Sequence, residues 1–218
     1  MVLVIHGIPF SGNVRRVLVV LAQIGILDAK HYRIEPATPE ILKSEEYLAK
    51  HPFGQIPVME DTETGAVIYE SRVICKYIAN KFHSPLLPSP TDLAAWIAFE
   101  QACSIEASRF DTYASPLARE TVLGPARGIP TDHHVVDKFK PLLQVQLQGY
   151  DRILGKQRYL AGEKLTLVDL FHLSYGETAV AGGAAPGLVD GSLPNVARWW
   201  KEISSLPAWS AAKALTKG

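Results

Sequence analysis

The chain has 218 residues, 47% of them hydrophobic and 20% charged, the balance of a globular protein with a sizeable core. Its 22 basic and 22 acidic residues cancel, so no bulk field recruits nucleic acid or an anionic membrane, and neither is expected as a partner. Two cysteines, Cys75 and Cys103, make no metal or redox spacing and no disulfide framework, and no window has the apolar length of a membrane helix.

Val2 to His6 is an apolar run of strand length, closed by Gly7 and Pro9. It lacks the length and basic lead of a secretion signal, so a cytoplasmic location is expected. Val14, Val17, Leu18 and Leu21 then recur at helical spacing, with a start expected near Arg15 and a stop at Gly25. Lys30 to Glu35 reads as a second strand stopped by Pro36, and the strand–helix–strand order predicts a parallel pair. Pro39 to Lys50 is polar and weakly helical. Two short strands follow, one entered from the turn at Pro52 to Pro57 and one from Ala66 to Tyr69, close enough for a hairpin. A helix from Ser71 to about Phe82 completes a unit of thioredoxin size, residues 1–82. His83 to Pro90 carries three prolines and marks a linker, 83–91.

From residue 92 to 218 only helical patterns remain. Leu93 to about Leu117 is one, with Trp96, Phe99, Ala102 and Cys103 inward. Thr131 or Asp132 can cap the next, whose apolar face is Val135, Phe139, Leu142, Leu143, Leu147, Tyr150 and Leu154. Pro141 inside that pattern predicts a kink or a late start. Thr166 to Asp169 is a capping box, with Asp for the usual Glu, ahead of Leu170 to Val180. Val196 to Leu206 and a short helix after Pro207 end the chain. The fold class expected is an α+β amino-terminal domain followed by an all-α domain.

The Ile56-Pro57 bond and the helix start at Ser71 lie a few residues apart along one hairpin. The first offers backbone to an extended peptide and the second offers N–H groups to a carboxylate, so an extended, acidic tripeptide suits the pair. Gln55-Ile56-Pro57 with Glu70-Ser71 resembles the cytosolic glutathione transferases. Gly7 to Ser11 with Arg15-Arg16-Val17, Glu70 to Ile78, Tyr159 to Gly162 with Leu165 to Leu173, and Trp199-Trp200 to Trp209 are similar to the phi class of plants and fungi. These matches stand in the right order and cover nearly the whole chain. The resemblance implies the GST fold, a thioredoxin-like domain followed by a helical one, in a homodimer. It implies glutathione as co-substrate, no metal, and attack of its thiolate on hydrophobic electrophiles, with reduction of peroxides as a related activity.

That chemistry needs a thiolate near neutral pH, whereas a free thiol titrates near ~8.5. Lowering it by about two units takes roughly 2.7 kcal/mol, within reach of a hydroxyl donor at a helix N-terminus. By the resemblance Ser11 is that donor, its alternative being an ordinary cap serine. Asn13 is a rival, since its amide could donate to sulfur if Gly12 loosens the loop. Ile56, before Pro57, should present its backbone to the cysteinyl part; Ser71 should hold the γ-glutamyl carboxylate and Glu70 the amine. Gln55 should reach the ligand backbone and Lys43 the glycyl carboxylate. Phi enzymes commonly carry histidine before that lysine, and Leu42 here predicts affinity weaker by at most one charge-assisted hydrogen bond, roughly 1.5–3 kcal/mol. Phe10, Gly12, Phe110, Tyr113 and Leu117 are candidates for an electrophile pocket between the domains.

Other residues read as structural: Thr166 and Asp169 as a cap, Trp199, Trp200 and Trp209 as core, Cys75 as an inert thiol. His133, His134 and Asp137 lack a further strong ligand for a metal. Two other functions fit the same fold: a carrier of apolar small molecules (a ligandin), and a dimerisation or assembly module.

Overall fold

Leu3 and Ile5 are fully buried at the centre of a mixed four-stranded sheet whose order is β2-β1-β3-β4. A computed structural model describes residues 2–215. β1 (Leu3–His6) pairs in parallel with β2 (Tyr32–Glu35) and antiparallel with β3 (Val58–Asp61), which forms a hairpin with edge strand β4 (Val67–Tyr69). The parallel pair requires a crossover, and α1 (Gly12–Ile24) supplies it, with Val14, Val17, Leu18 and Leu21 fully buried as their spacing predicts. Gly25, at φ 87, ends the helix in the left-handed conformation that glycine adopts at no steric cost. The helix starts ahead of the expected Arg15. Gly12 is buried in its first turn rather than loosening a loop.

Two short helices, α2 (Pro39–Leu42) and α3 (Glu45–Lys50), are capped by Thr38 and Ser44, whose side chains accept from the N–H groups of Ile41 and Tyr47. α4 (Ser71–Lys81) follows the hairpin. Its far end is tied to β3 by Asp61, which accepts hydrogen bonds of 2.6 Å from both Lys81 Nζ and the Tyr77 hydroxyl. Burial pushes the Asp61 carboxyl up, but these bonds outweigh it and hold the group well below the usual carboxylate range.

The chain divides into two compact units, one reaching Leu87 and gathering in the segment from Pro207, the other Pro88–Leu206. The second contains α5 (Leu93–Ile105), α6 (Thr112–Ala118), α7 (His133–Leu154), α8 (Leu167–Phe171), α9 (Leu173–Ala181) and α10 (Pro194–Ser204). π-helical segments at Glu106–Asp111 and Arg119–Leu123 prolong the helix begun by α5 beyond the expected Leu117. Asp132, rather than Thr131, caps α7, and Pro141 lies inside that helix without delaying its start. Leu142 was expected inward but is 38% exposed: adjacent helical positions point about 100° apart, and Leu143 takes the inner place. The helical pattern after Asp169 breaks at His172, a buried residue whose Nδ1 donates to the Val168 carbonyl and whose Nε2 accepts from the Tyr150 hydroxyl. The final helix, α11 (Pro207–Ala214), packs on α1 and buries Trp209 in the first unit. Among the described residues no helix is long and apolar enough to cross a membrane.

Candidate functional site

Ser11 precedes α1 in extended backbone (φ −66°, ψ 130°), the geometry of an N-cap, and its carbonyl accepts the first bond of the helix from Arg15 N–H at 2.9 Å. Yet its hydroxyl makes no capping bond. Thr38, Ser44, Asp92 and Asp132, at other helix starts, all accept from the N–H groups that follow them. Ser11 therefore does not carry out the duty of an ordinary cap.

The second helix start repeats the pattern. Glu70 is the N-cap of α4 and its side chain makes no capping bond. Its φ of 68° is a left-handed conformation that costs a side-chain-bearing residue on the order of 1–3 kcal/mol and that such chains keep mainly at functional positions. Ser71, the first helical residue, is buried, while Glu70 is exposed beside it.

Between these starts lies a residue the sequence reading did not single out as functional. Arg16 is 0% exposed, and its Nη1 donates to Asn13 Oδ1 at 2.8 Å and to Ser71 Oγ at 2.9 Å. Asn13 and Ser71, candidates from opposite ends of the unit's sequence, are thus joined through one guanidinium. The available signal was a charged pair, Arg15-Arg16, leading the uncharged run Val17 to Ile24.

The peptide bond between Ile56 and Pro57 is cis. Gln55 is exposed and Pro57 buried, and the Gln55 carbonyl accepts from the Tyr47 hydroxyl at 2.8 Å. Burial pushes that hydroxyl up to about 12, so it remains a donor. Gly54 holds φ 58°, and a Cβ there would meet the Leu42 carbonyl oxygen at 2.8 Å, so the turn leading to Gln55 admits only glycine. Leu42 itself packs with Ile56 against Ala37, Tyr47 and Val58. Lys43 ends α2 in the open and makes no ion pair with a described residue.

The pocket candidates separate. Phe10 is half exposed beside Ser11, and Gly12 is enclosed in α1. Phe110 and Leu117 are a correction: at 1% and 0% exposure they belong to the core of the helical unit, where Phe110 packs on the rings of Tyr150 and His172. Helical spacing marks such residues as inward without saying whether inward means core or cavity. Tyr113 is half buried with its ring edge-on to Phe139 at 5.9 Å. His133, His134 and Asp137 are exposed, and the described residues contain no group of three or more side chains able to hold a metal ion. Cys75 is fully buried and its thiol is pushed up to about 12 by that burial.

Two long-helix N-termini, whose N-cap side chains Ser11 and Glu70 make no capping bond, make a region suited to anions. Comparison with known proteins agrees with this chemistry. Residues 5–86 match the model of the glutathione S-transferase amino-terminal domain, and residues 109–207 match that of the carboxy-terminal domain. A glutathione S-transferase of Arabidopsis thaliana is 44% identical over 199 residues, 90% of this chain and 88% of its own. One from the fungus Hypomyces subiculosus is 37% identical over 218 residues, 98% of this chain and 99% of its own. Glutathione S-transferase I of maize, solved with a glutathione conjugate of atrazine, superposes with a TM-score of 0.86 at 30% identity, over 99% of this chain and 98% of that one. With its paired helix starts, its cis-proline turn and these matches along both units, the chain belongs to the glutathione S-transferase family, among relatives of the phi type.

Proposed function

We propose that this enzyme binds glutathione along the first unit and uses the Ser11 hydroxyl to hold its sulfur as a thiolate, which then attacks hydrophobic electrophiles. In this reading the Ile56 backbone pairs with the cysteinyl part of the tripeptide. Ser71 and the first N–H groups of α4 take the γ-glutamyl carboxylate, and Glu70 the amine. Gln55 and Lys43 extend the contact toward the glycyl end. The observation that carries the proposal is the Ser11 hydroxyl, placed at the start of a 13-residue helix and spared from capping it. A hydroxyl donor and the positive end of a helix both favour the charged form of a bound thiol. The maize relative's aromatic conjugate supports an aromatic electrophile, for which Phe10 is the exposed apolar neighbour of Ser11. Peroxide reduction by the same thiolate, a cytoplasmic location and a pair of chains complete the reading. Phe53 and Tyr69, exposed and joined through the His51 ring, are the apolar surface we assign to the contact between chains.

The deciding experiment is the ultraviolet thiolate absorbance of bound glutathione as pH is varied, in wild type and in Ser11→Ala. The expected result is a thiol titrating well below ~8.5 in wild type and returning toward that value in the variant. Glutathione bound with an unshifted thiol would overturn the catalytic reading and mark a carrier.

A further inference from the structure

Pairing of the Ile56 backbone with an extended ligand requires its N–H to be aimed and held, because main-chain hydrogen bonds carry the affinity in this mode of recognition. Neither the N–H nor the carbonyl of Ile56 has a hydrogen-bond partner among the described residues. Ile56 also lies against the loop that leads to Ser11, where a Cβ on Gly7 would stand 3.6 Å from the Ile56 Cβ. The aim of its N–H is set one residue earlier. The Gln55–Ile56 peptide is trans and planar, so the Gln55 carbonyl and the Ile56 N–H point in opposite directions. Among the described residues, the one bond to that carbonyl comes from the Tyr47 hydroxyl at 2.8 Å. Tyr47 is well anchored for the task. It is 3% exposed, its ring stands edge-on to that of His6 at 6.4 Å, and it packs with Ala37 and Val58. Its own N–H donates to Ser44 Oγ at 3.2 Å, and its carbonyl accepts from the His51 N–H at 2.8 Å. The hydroxyl, pushed up to about 12 by burial, stays a donor near neutral pH.

Resting on the function proposed above, we infer that Tyr47 is a positioning residue: its hydroxyl sets the Gln55–Ile56 peptide plane so that the Ile56 N–H faces bound glutathione. Tyr47 acts through that peptide without touching the ligand. Gln55 is exposed, so water alone could satisfy its carbonyl. A bond from a buried hydroxyl adds a fixed direction, which mobile water does not, and a preset N–H spares the ligand the cost of ordering it. The contact so prepared is to the backbone of the tripeptide and not to its sulfur. It is the same before and during attack by the thiolate, so its loss belongs in KM rather than in kcat.

Tyr47→Phe tests this in the full chain, since it removes the hydroxyl and keeps the buried ring. Calorimetry should show glutathione bound about 5–10-fold more weakly. The value of kcat at saturating glutathione and the ultraviolet titration of the bound thiol should stay as in wild type. S-methylglutathione, which has the same backbone and no thiol to ionise, should lose affinity by the same factor. A tyrosine that served stability alone would lower the melting temperature and leave the affinity of the folded molecules unchanged. That result overturns the role of Tyr47 and leaves the proposed function standing. Loss of affinity for glutathione but not for S-methylglutathione overturns it as well, because the hydroxyl would then act on the sulfur. A wild type that binds both probes with no depression of the thiol overturns the catalytic reading alone, and one that binds neither overturns both.

Discussion

At the start of α8 the helical unit closes a buried carboxylate on its own chain, whereas the starts of α1 and α4 in the first unit leave their cap side chains open. At the start of α8 the carboxylate of Asp169 is fully buried and accepts from the Thr166 N–H, the Thr166 hydroxyl, the Leu160 N–H and the Trp199 indole at 2.9–3.2 Å. Burial pushes this carboxyl up, but every lone-pair direction is met by the chain itself. Such a saturated cluster ties α8 to α10 and to the loop at Leu160, and has nothing left for a ligand. At the starts of α1 and α4 the cap side chains make no bond to their own helices, and the backbone at Glu70 is strained. Both kinds of site look like caps in the sequence. The number of partners each side chain has inside the fold separates one kind from the other, and it says which polar residues hold structure and which are kept for chemistry.

The largest effect that could break this contrast is on stability. Asp169→Ala strips one acceptor from four buried donors and should cost about 3–5 kcal/mol in urea unfolding, while the molecules that remain folded keep their glutathione affinity. A loss of affinity with intact stability would place α8 among the functional elements and dissolve the distinction. Ser11→Ala should do the reverse. It should lower kcat/KM by about 10²–10³-fold, the scale of a donor lost from a developing anion, with the unfolding midpoint nearly unmoved. If Ser11→Ala instead melts the protein early, the serine is a cap after all. Asp132→Ala, at a closed and exposed helix start, calibrates both: about 1 kcal/mol of stability lost, with unchanged steady-state kinetics.

The smallest expected effect sharpens the boundary of the open region. Leu42 packs its side chain with Ile56 against Ala37, Tyr47 and Val58. Leu42→His should lower the glutathione KM only severalfold, less than a full charge-assisted bond would supply, because the new side chain has to leave that packing. The same variant should lose about 1 kcal/mol of stability from reduced apolar burial. A glutathione KM equal to or higher than that of the parent would show that the departure at this position does not limit affinity.

Elements whose evidence is local were legible in the sequence. The stripe Val14, Val17, Leu18, Leu21 carries its period with it, and the Thr166–Asp169 box is a four-residue signal complete in itself. The cis bond before Pro57 and the helix start at Ser71 were readable through the motif around them. Features defined by distant approach were not. Arg16 has the same letter as a solvated surface arginine, and only the arrival of α4, fifty-five residues later, buries it against Ser71. Phe110 and Leu117 satisfied a helical period that core and cavity share. Nothing in the segment after Pro207 says that its apolar face covers α1. The open hydroxyl of Ser11 is invisible for a different reason: the residue and its place before a helix are the same whether the cap is made or spared.

The burial of the cysteines bears on how such a catalyst survives its own work. The Cys75 sulfur is enclosed and donates to the Arg16 carbonyl, its thiol is pushed up to about 12, and Cys103 is buried as well. Burial keeps the Cys75 thiol protonated at physiological pH and its sulfur enclosed. The reactive sulfur in this chemistry is therefore borrowed with each turnover and leaves with the product, while the protein's own sulfur stays out of reach. Compounds that alkylate an exposed surface thiol find neither cysteine on the surface of this chain.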